Sequence, residues 1–342
     1  MKPALFALML CCTSLGALAT ADGPDHYRVR GIASGGFLNL RAEPNTQAAI
    51  LAKIPAGMTC LRNLGCQGGL SLQEFTTLSE EEKQRRAQAN PRWCKVDYQG
   101  VAGWVSGRYL AEETCNPIAP EQEVLIVEFP RGKTDVSLTG RIQGREFVDY
   151  RIRAAAGQTL SATMKASHGA NYFNILPPGS ADVALYIGPI GGNHFEGMLP
   201  SDGDYTLRVY LMRSAARRDA ASTYAIDVAL TGKALPPLPE AQDAHLPGTP
   251  YHASTTITCV LPYEPETTHC EAFVIRRGFD GTATVEVRGA TSYLRRILFI
   301  KGSPVAADST QHMTFSRQGD RTRVEFNEEE RIDIPDALIT GG

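Results

Sequence analysis

Residues Asp204–Asp219 read DYTLRVYLMRSAARRD. The first half alternates. Leu207, Val209 and Leu211 share one face and Thr206, Arg208 and Tyr210 the other, as a half-buried β-strand requires. The second half breaks that rhythm and sets Arg213, Arg217 and Arg218 among Ser214, Ala215 and Ala216. The strand therefore ends in a compact cationic tip. A guanidinium group is planar, permanently charged and shaped to grip a carboxylate with two parallel hydrogen bonds. Such a tip suits an acidic cleft on a partner. On local chemistry alone, a solvated surface loop is the commoner use of such a run.

Working outward, strand patterns recur at Ser137–Ile142, Glu146–Arg153, Thr159–Lys165, Tyr172–Leu176, Ala184–Ile187, Gly192–Leu199 and Tyr224–Leu230, with glycine turns between. Their number predicts a β-sandwich of jelly-roll type over residues 123–232. Within it stand Asp149-Tyr150-Arg151, Ala156-Gly157-Gln158, Tyr172 to Leu176, Ile187-Gly188, Gly197, Gly203 to Thr206, and Val209 to Arg213 continuing through Ala216-Arg217-Arg218. On these residues the segment Val148–Val228 resembles the periplasmic inhibitors of goose-type (g-type) lysozyme, and the last run is its specific part. The resemblance implies a partner and a mechanism. A glycosidase cleft holds carboxylates for its chemistry, and an inserted loop bearing Arg213 and Arg217 would pair with them and block the sugar. It also implies that Arg218 joins them or turns back to hold the loop, and that Tyr150 lies at the rim. Arg208, on the outer face of the strand, is expected to matter less.

Toward the N-terminus, short apolar strands (Phe37–Leu40, Ala49–Leu51, Thr59–Leu61, Trp93–Val96, Gly103–Val105) alternate with Gly, Pro and Asn turns, which predicts a small β-barrel over residues 22–116. The order LNLRAEP, IPAG, RWCKV and GWVSGRYL resembles the bacterial SH3-like domains of exported proteins. That resemblance implies either a module for peptidoglycan or peptide, with Trp104 and Tyr109 as a platform, or a plain spacer. A tryptophan in the GWV position is more often core. Residues 78–89 predict a helical insertion. Ser79 is its N-cap, Glu82 completes a capping box, and Asn90-Pro91 stops it.

Residues 1–21 read as an export signal: Lys2, an apolar stretch from Ala4 to Leu18, and small residues at Ala17, Ala19 and Ala21. Leu10 before Cys11 argues against a lipobox. The stretch is too short for a membrane span, so the mature chain is expected in the periplasm or outside the cell. Its six cysteines then read as disulfides. Cys259 with Cys270 is a local pair. Cys60, Cys66, Cys94 and Cys115 allow three connectivities, of which Cys66–Cys94 with Cys60–Cys115 is favoured. Zinc is disfavoured, since there is no CxxC and no nearby histidine.

Residues 233–254 hold Pro236, Pro237, Pro239, Pro247 and Pro250 and predict a semi-extended linker. Asn116–Glu123 predicts a shorter one. Residues 255–342 offer strands at Thr255–Val260, Ala272–Arg277, Thr282–Val287, Arg296–Lys301, Arg323–Asn327 and Arg331–Ile334, a third small β-domain without a functional motif. The expected fold class is therefore all-β: an SH3-like barrel, a jelly-roll-type sandwich and a small β-domain.

A formal charge of −3 gives no argument for nucleic acid or a membrane surface. The seven histidines show no HxxxH or HExxH spacing, there is no GxSxG elbow and no phosphate-cradling loop. The chain is expected to be a binding protein without catalytic residues, metal or cofactor. Two functions stand: inhibition of a g-type lysozyme, or an envelope module whose barrel holds peptidoglycan or peptide while the sandwich is scaffold.

Overall fold

A computed structural model of the chain describes residues 23–113, 115, 122–262, 264–289, 292–327 and 329–341. The expected export signal lies outside the described residues, as do Cys11 and Cys12 and most of the short linker after Cys115. The fold is all-β and divides into two compact units: residues 1–119 with 213–218, and residues 120–212 with 219–342.

The first unit is a barrel-like sheet. It comprises β1 (His26–Val29), β2 (Phe37–Arg41), β3 (Ile50–Pro55), β4 (Leu61–Gln67), α1 (Leu72–Thr77), α2 (Glu80–Ala89), β5 (Trp93–Tyr98), β6 (Val101–Ser106) and β7 (Leu110–Glu113), with the strands in the order β3-β2-β6-β5-β4-β1-β7. Alternation turns Leu40, Ile54, Leu61, Val96 and Val105 into one core. The helical insertion is two helices. In α2, Ser79 caps Glu82 as the sequence indicates. The helix before it, α1, has a complete capping box of its own between Ser71 and Glu74.

The second unit begins with the sandwich. Its elements are β8 (Gln122–Ile126), β9 (Asp135–Gln143), β10 (Phe147–Ala154), β11 (Thr159–Ala166), β12 (Asn171–Leu176), β13 (Tyr186–Ile187), α3 (Gly188–Gly191), β14 (His194–Met198) and β15 (Gly203–Leu211). Next come α4 (Arg213–Arg217), which belongs to the first unit, and β16 (Ala221–Thr231). One sheet runs β13-β12-β15-β10-β8 and the other β14-β11-β16-β9. The alternation of β15 is as its sequence dictates: Tyr205, Leu207, Val209 and Leu211 are all buried. Residues 122 and 123, the end of the expected linker, instead open β8, which pairs in parallel with β10.

The remaining strands are β17 (Ala253–Leu261), β18 (Glu264–Arg276), β19 (Ala283–Arg288), β20 (Leu294–Ile300), β21 (Ser303–Ala307), β22 (Met313–Gln318), β23 (Arg321–Phe326) and β24 (Glu330–Pro335), followed by α5 (Asp336–Thr340). They make one sheet in the order β21-β20-β19-β18-β17-β24-β23-β22 around a core that includes Cys259 and Cys270. This sheet and the sandwich share a unit. Arg277 is their hub. Its guanidinium donates to Asp202 Oδ2 at 2.8 Å, to the Leu235 carbonyl at 2.5 Å and to Thr284 Oγ1 at 2.9 Å, while Thr284 donates to the Pro200 carbonyl at 2.8 Å.

The expected semi-extended linker is tied down along this junction. Leu235 N donates to Ala156 O at 2.9 Å, Leu238 N donates to Arg276 O at 2.8 Å, and Asp243 pairs with Arg276 at 2.9 Å. Its prolines cannot donate, so the intervening amides carry the attachment. Three disulfides, Cys60–Cys115, Cys66–Cys94 and Cys259–Cys270, complete the covalent framework and match the pairings favoured from spacing.

Candidate binding site at the arginine turn

The chain leaves β15 at Leu211, and Arg213–Arg217 form the single helical turn α4. Arg218 N donates to Ala215 O at 3.0 Å, and Asp219 then takes a left-handed conformation, φ 57°. Short polar residues tolerate that region best, which suits aspartate at the reversal. Asp219 Oδ2 accepts from Gln143 Nε2 at 3.0 Å.

The three arginines are not equivalent. Arg213 and Arg218 are exposed. Arg217 is 3% exposed, with Nη1 3.3 Å from Asp25 Oδ1 and 3.4 Å from the Gly23 carbonyl, all within the first unit. A cationic tip offering all three guanidinium groups is therefore not what the turn presents. Arg217 is buried along with Ala215, whereas Arg213 and Arg218 stand open to solvent.

Tyr150 is also not at a rim. It is 3% exposed, in register with inward-facing Val148 and Ile152 on β10. Its hydroxyl lies 3.0 Å from that of Tyr224, with the rings edge to face at 6.5 Å. Burial raises its pKa. Arg208, expected to matter less to inhibition than the tip arginines, makes a bidentate pair with buried Asp149 at 2.7 and 2.8 Å and lies over Phe147 at 4.7 Å.

In the barrel, Gly103 and Val105 face the core, so alternation turns Trp104 outward, where it is half-buried; it is not the core residue that its motif suggests. Tyr109 is half-buried beneath the Arg108 guanidinium, 4.4 Å from the ring centroid. Cys60, Glu113 and Cys115 group closely enough to suggest a metal, but the two sulfurs are joined to each other. No helix among the described residues is long and apolar enough to cross a membrane.

Residues 36–111 match the family model of the bacterial SH3 domain. The inhibitor of g-type lysozyme from Escherichia coli K12 is 30% identical over 105 residues, which are 30% of this chain and 77% of that protein. Among solved structures, Aeromonas hydrophila PliG, a periplasmic inhibitor of g-type lysozyme, is 29% identical over 33% of this chain and all of its own, with a TM-score of 0.31. Salmonella Typhimurium PliG is 26% identical over 32% of this chain and 98% of its own, with a TM-score of 0.27. Fold and site thus define a modular, disulfide-bonded, all-β protein that carries a bacterial SH3 domain. Through about a third of its length, the chain belongs to the family of the inhibitors of g-type lysozyme. The Escherichia coli relative that shows the family is an inhibitor of an enzyme.

Proposed function

We propose that this protein binds and inhibits a g-type lysozyme in the periplasm, with the exposed Arg213 and Arg218 as its cationic contacts. The family relationship carries this reading, and the exposure of the two arginines at either end of α4 supports the assignment of residues. Glycosidases of this kind work with carboxylates in an open cleft. A guanidinium that pairs with one of them takes the place of substrate and contributes about 1.5–3 kcal/mol as a charged hydrogen-bond partner. Arg217, buried against Asp25, holds the shape of the turn and does not reach the enzyme. Tyr150 serves the sandwich core.

The test is lysis of a bacterial suspension by a g-type lysozyme, followed as turbidity, with the protein in micromolar excess. Strong slowing is expected. Full lytic activity at that excess ends the inhibitor reading. The barrel gives a second reading some support, because Trp104 faces outward within the SH3 match. In that reading the barrel holds peptidoglycan, and co-sedimentation with purified sacculi, lost in Trp104→Ala, tests it.

A further inference from the structure

Ile190 is the most exposed large apolar residue among those described, at 83%. It sits on α3, within Gly188-Pro189-Ile190-Gly191-Gly192, and this turn is built to be stiff. The Tyr186 hydroxyl lies 2.7 Å from the Gly192 carbonyl and 2.9 Å from that of His194, sharing its one hydrogen between them. The Tyr186 ring lies between Phe173 at 5.4 Å and Phe195 at 5.1 Å. Gly188 passes so close to β12 that a Cβ there would stand 2.4 Å from the Phe173 carbonyl. A Cβ on Gly191 would stand 2.4 Å from the Tyr186 ring. Gly192, at φ 90°, returns its N–H to the Gly188 carbonyl at 2.7 Å. Three constrained glycines, one proline and three packed rings thus hold a bare isoleucine in water.

The position of the turn is also specific. β15 ends at Leu211 opposite Asn171, the first residue of β12, and Met212 N donates to the Ala170 carbonyl at 2.9 Å. Gly188 packs on Tyr172 and Phe173 of the same β12. The isoleucine turn and the C-terminal end of β15 therefore share one end of the five-stranded sheet.

We propose that Ile190 is an apolar anchor of the inhibitory surface, seating in an apolar recess of the g-type lysozyme. This rests on the inhibitor reading above. Rigid presentation suits an anchor, because little conformational freedom is lost when it docks. Interfaces draw most of their affinity from a few such side chains in desolvated pockets.

The experiment measures the concentration giving half-inhibition of a g-type lysozyme for wild type, Ile190→Ala, Gly191→Ala and Val305→Ala, with circular dichroism to establish folding. Val305 is an exposed strand residue of the eight-stranded sheet and serves as the control. Ile190→Ala is expected to raise that concentration about tenfold, the worth of the apolar contact removed. Gly191→Ala keeps the isoleucine but displaces Tyr186, and a loss in the same direction is expected. Val305→Ala is expected to match wild type. If wild type inhibits and Ile190→Ala inhibits equally well, the anchor is refuted while the inhibitor reading stands. If wild type leaves the enzyme fully active, both fall.

Discussion

Arg208 and Asp149 face each other across β15 and β10, and the guanidinium holds the carboxylate with both arms, Nε to Oδ1 at 2.7 Å and Nη2 to Oδ2 at 2.8 Å. Asp149 is buried, and Arg208 is partly open to solvent. The carboxylate is thus sheltered beneath its partner on the outward face of the sheet. Arg208 Nη1 also reaches the Ala181 carbonyl at 3.1 Å and ties down the loop that follows β12.

Arg208→Ala would strand that carboxylate. A loss of about 2–3 kcal/mol is expected, since an abandoned charge costs more than a neutral group. Urea midpoints at neutral pH measure it. A variant as stable as wild type contradicts the structural role given to the pair.

The arginine turn should divide by burial. Arg213→Ala and Arg218→Ala are expected to weaken inhibition about tenfold each, from the worth of one charged hydrogen bond, with an unchanged melting temperature. Arg217→Ala is expected to lower the melting temperature. Rising salt should slow association more than it speeds dissociation. Stopped-flow binding and thermal melts read both effects. A melting temperature untouched in Arg217→Ala, together with lost inhibition, would return Arg217 to the contact surface.

Acid titration should raise stability before lowering it. Burial pushes the Asp308 carboxyl up to about 6, against the charge of Arg295 and the Arg296 N–H. The folded chain therefore holds this proton more tightly than the unfolded chain. Stability grows as pH falls through about 6, by as much as about 3 kcal/mol once the unfolded carboxyl is protonated too. Glu286 acts oppositely. Burial pushes its carboxyl up, but hydrogen bonds from Tyr251 and Arg288 and the charge of Arg296 outweigh that and hold it low. Its contribution is lost as pH falls through that depressed value. Urea midpoints are expected to be higher at pH about 5 than at pH about 7, with the gain much reduced in Asp308→Asn. An unreduced gain in that variant would falsify the assignment to Asp308.

The disulfides should account for every described cysteine. Thiol titration of the unreduced, urea-unfolded mature chain is expected to find none free. Opening Cys259–Cys270 by paired alanines should cost about 2–3 kcal/mol on the chain-entropy account of a short loop, plus the cavity left in the core. Two or more reactive thiols would contradict the pairing.

Much of this was legible in the chain. Alternation located the strands of the sandwich, and Ser79 with Glu82 located α2. The inward position of Tyr150 was legible too, since it shares parity with Val148 and Ile152. Likewise Ser71 and Glu74 signal α1 by the same capping rule that revealed its neighbour. The burial of Arg217 was not legible, because its partner Asp25 lies 192 residues away in sequence. Arg208 and Asp149 are 59 residues apart, and only strand register brings them together. The parallel pairing of β8 with β10 depends equally on non-local register. A short apolar run beside a proline-containing segment does not announce it.

The hub at Arg277 bears on how such a chain can be shortened over evolutionary time. A stop codon after residue 232 would spare every strand of the inhibitor-like fold. It would nevertheless remove the guanidinium that faces Asp202, the hydroxyl that faces the Pro200 carbonyl, and Leu235 and Leu298, which pack with Ala156. The shortened lineage would leave Ala156 and the turn around Asp202 newly open to water. The eight-stranded sheet thus serves as a lid on that end of the sandwich, so its loss would be felt as reduced stability of the inhibitor-like fold.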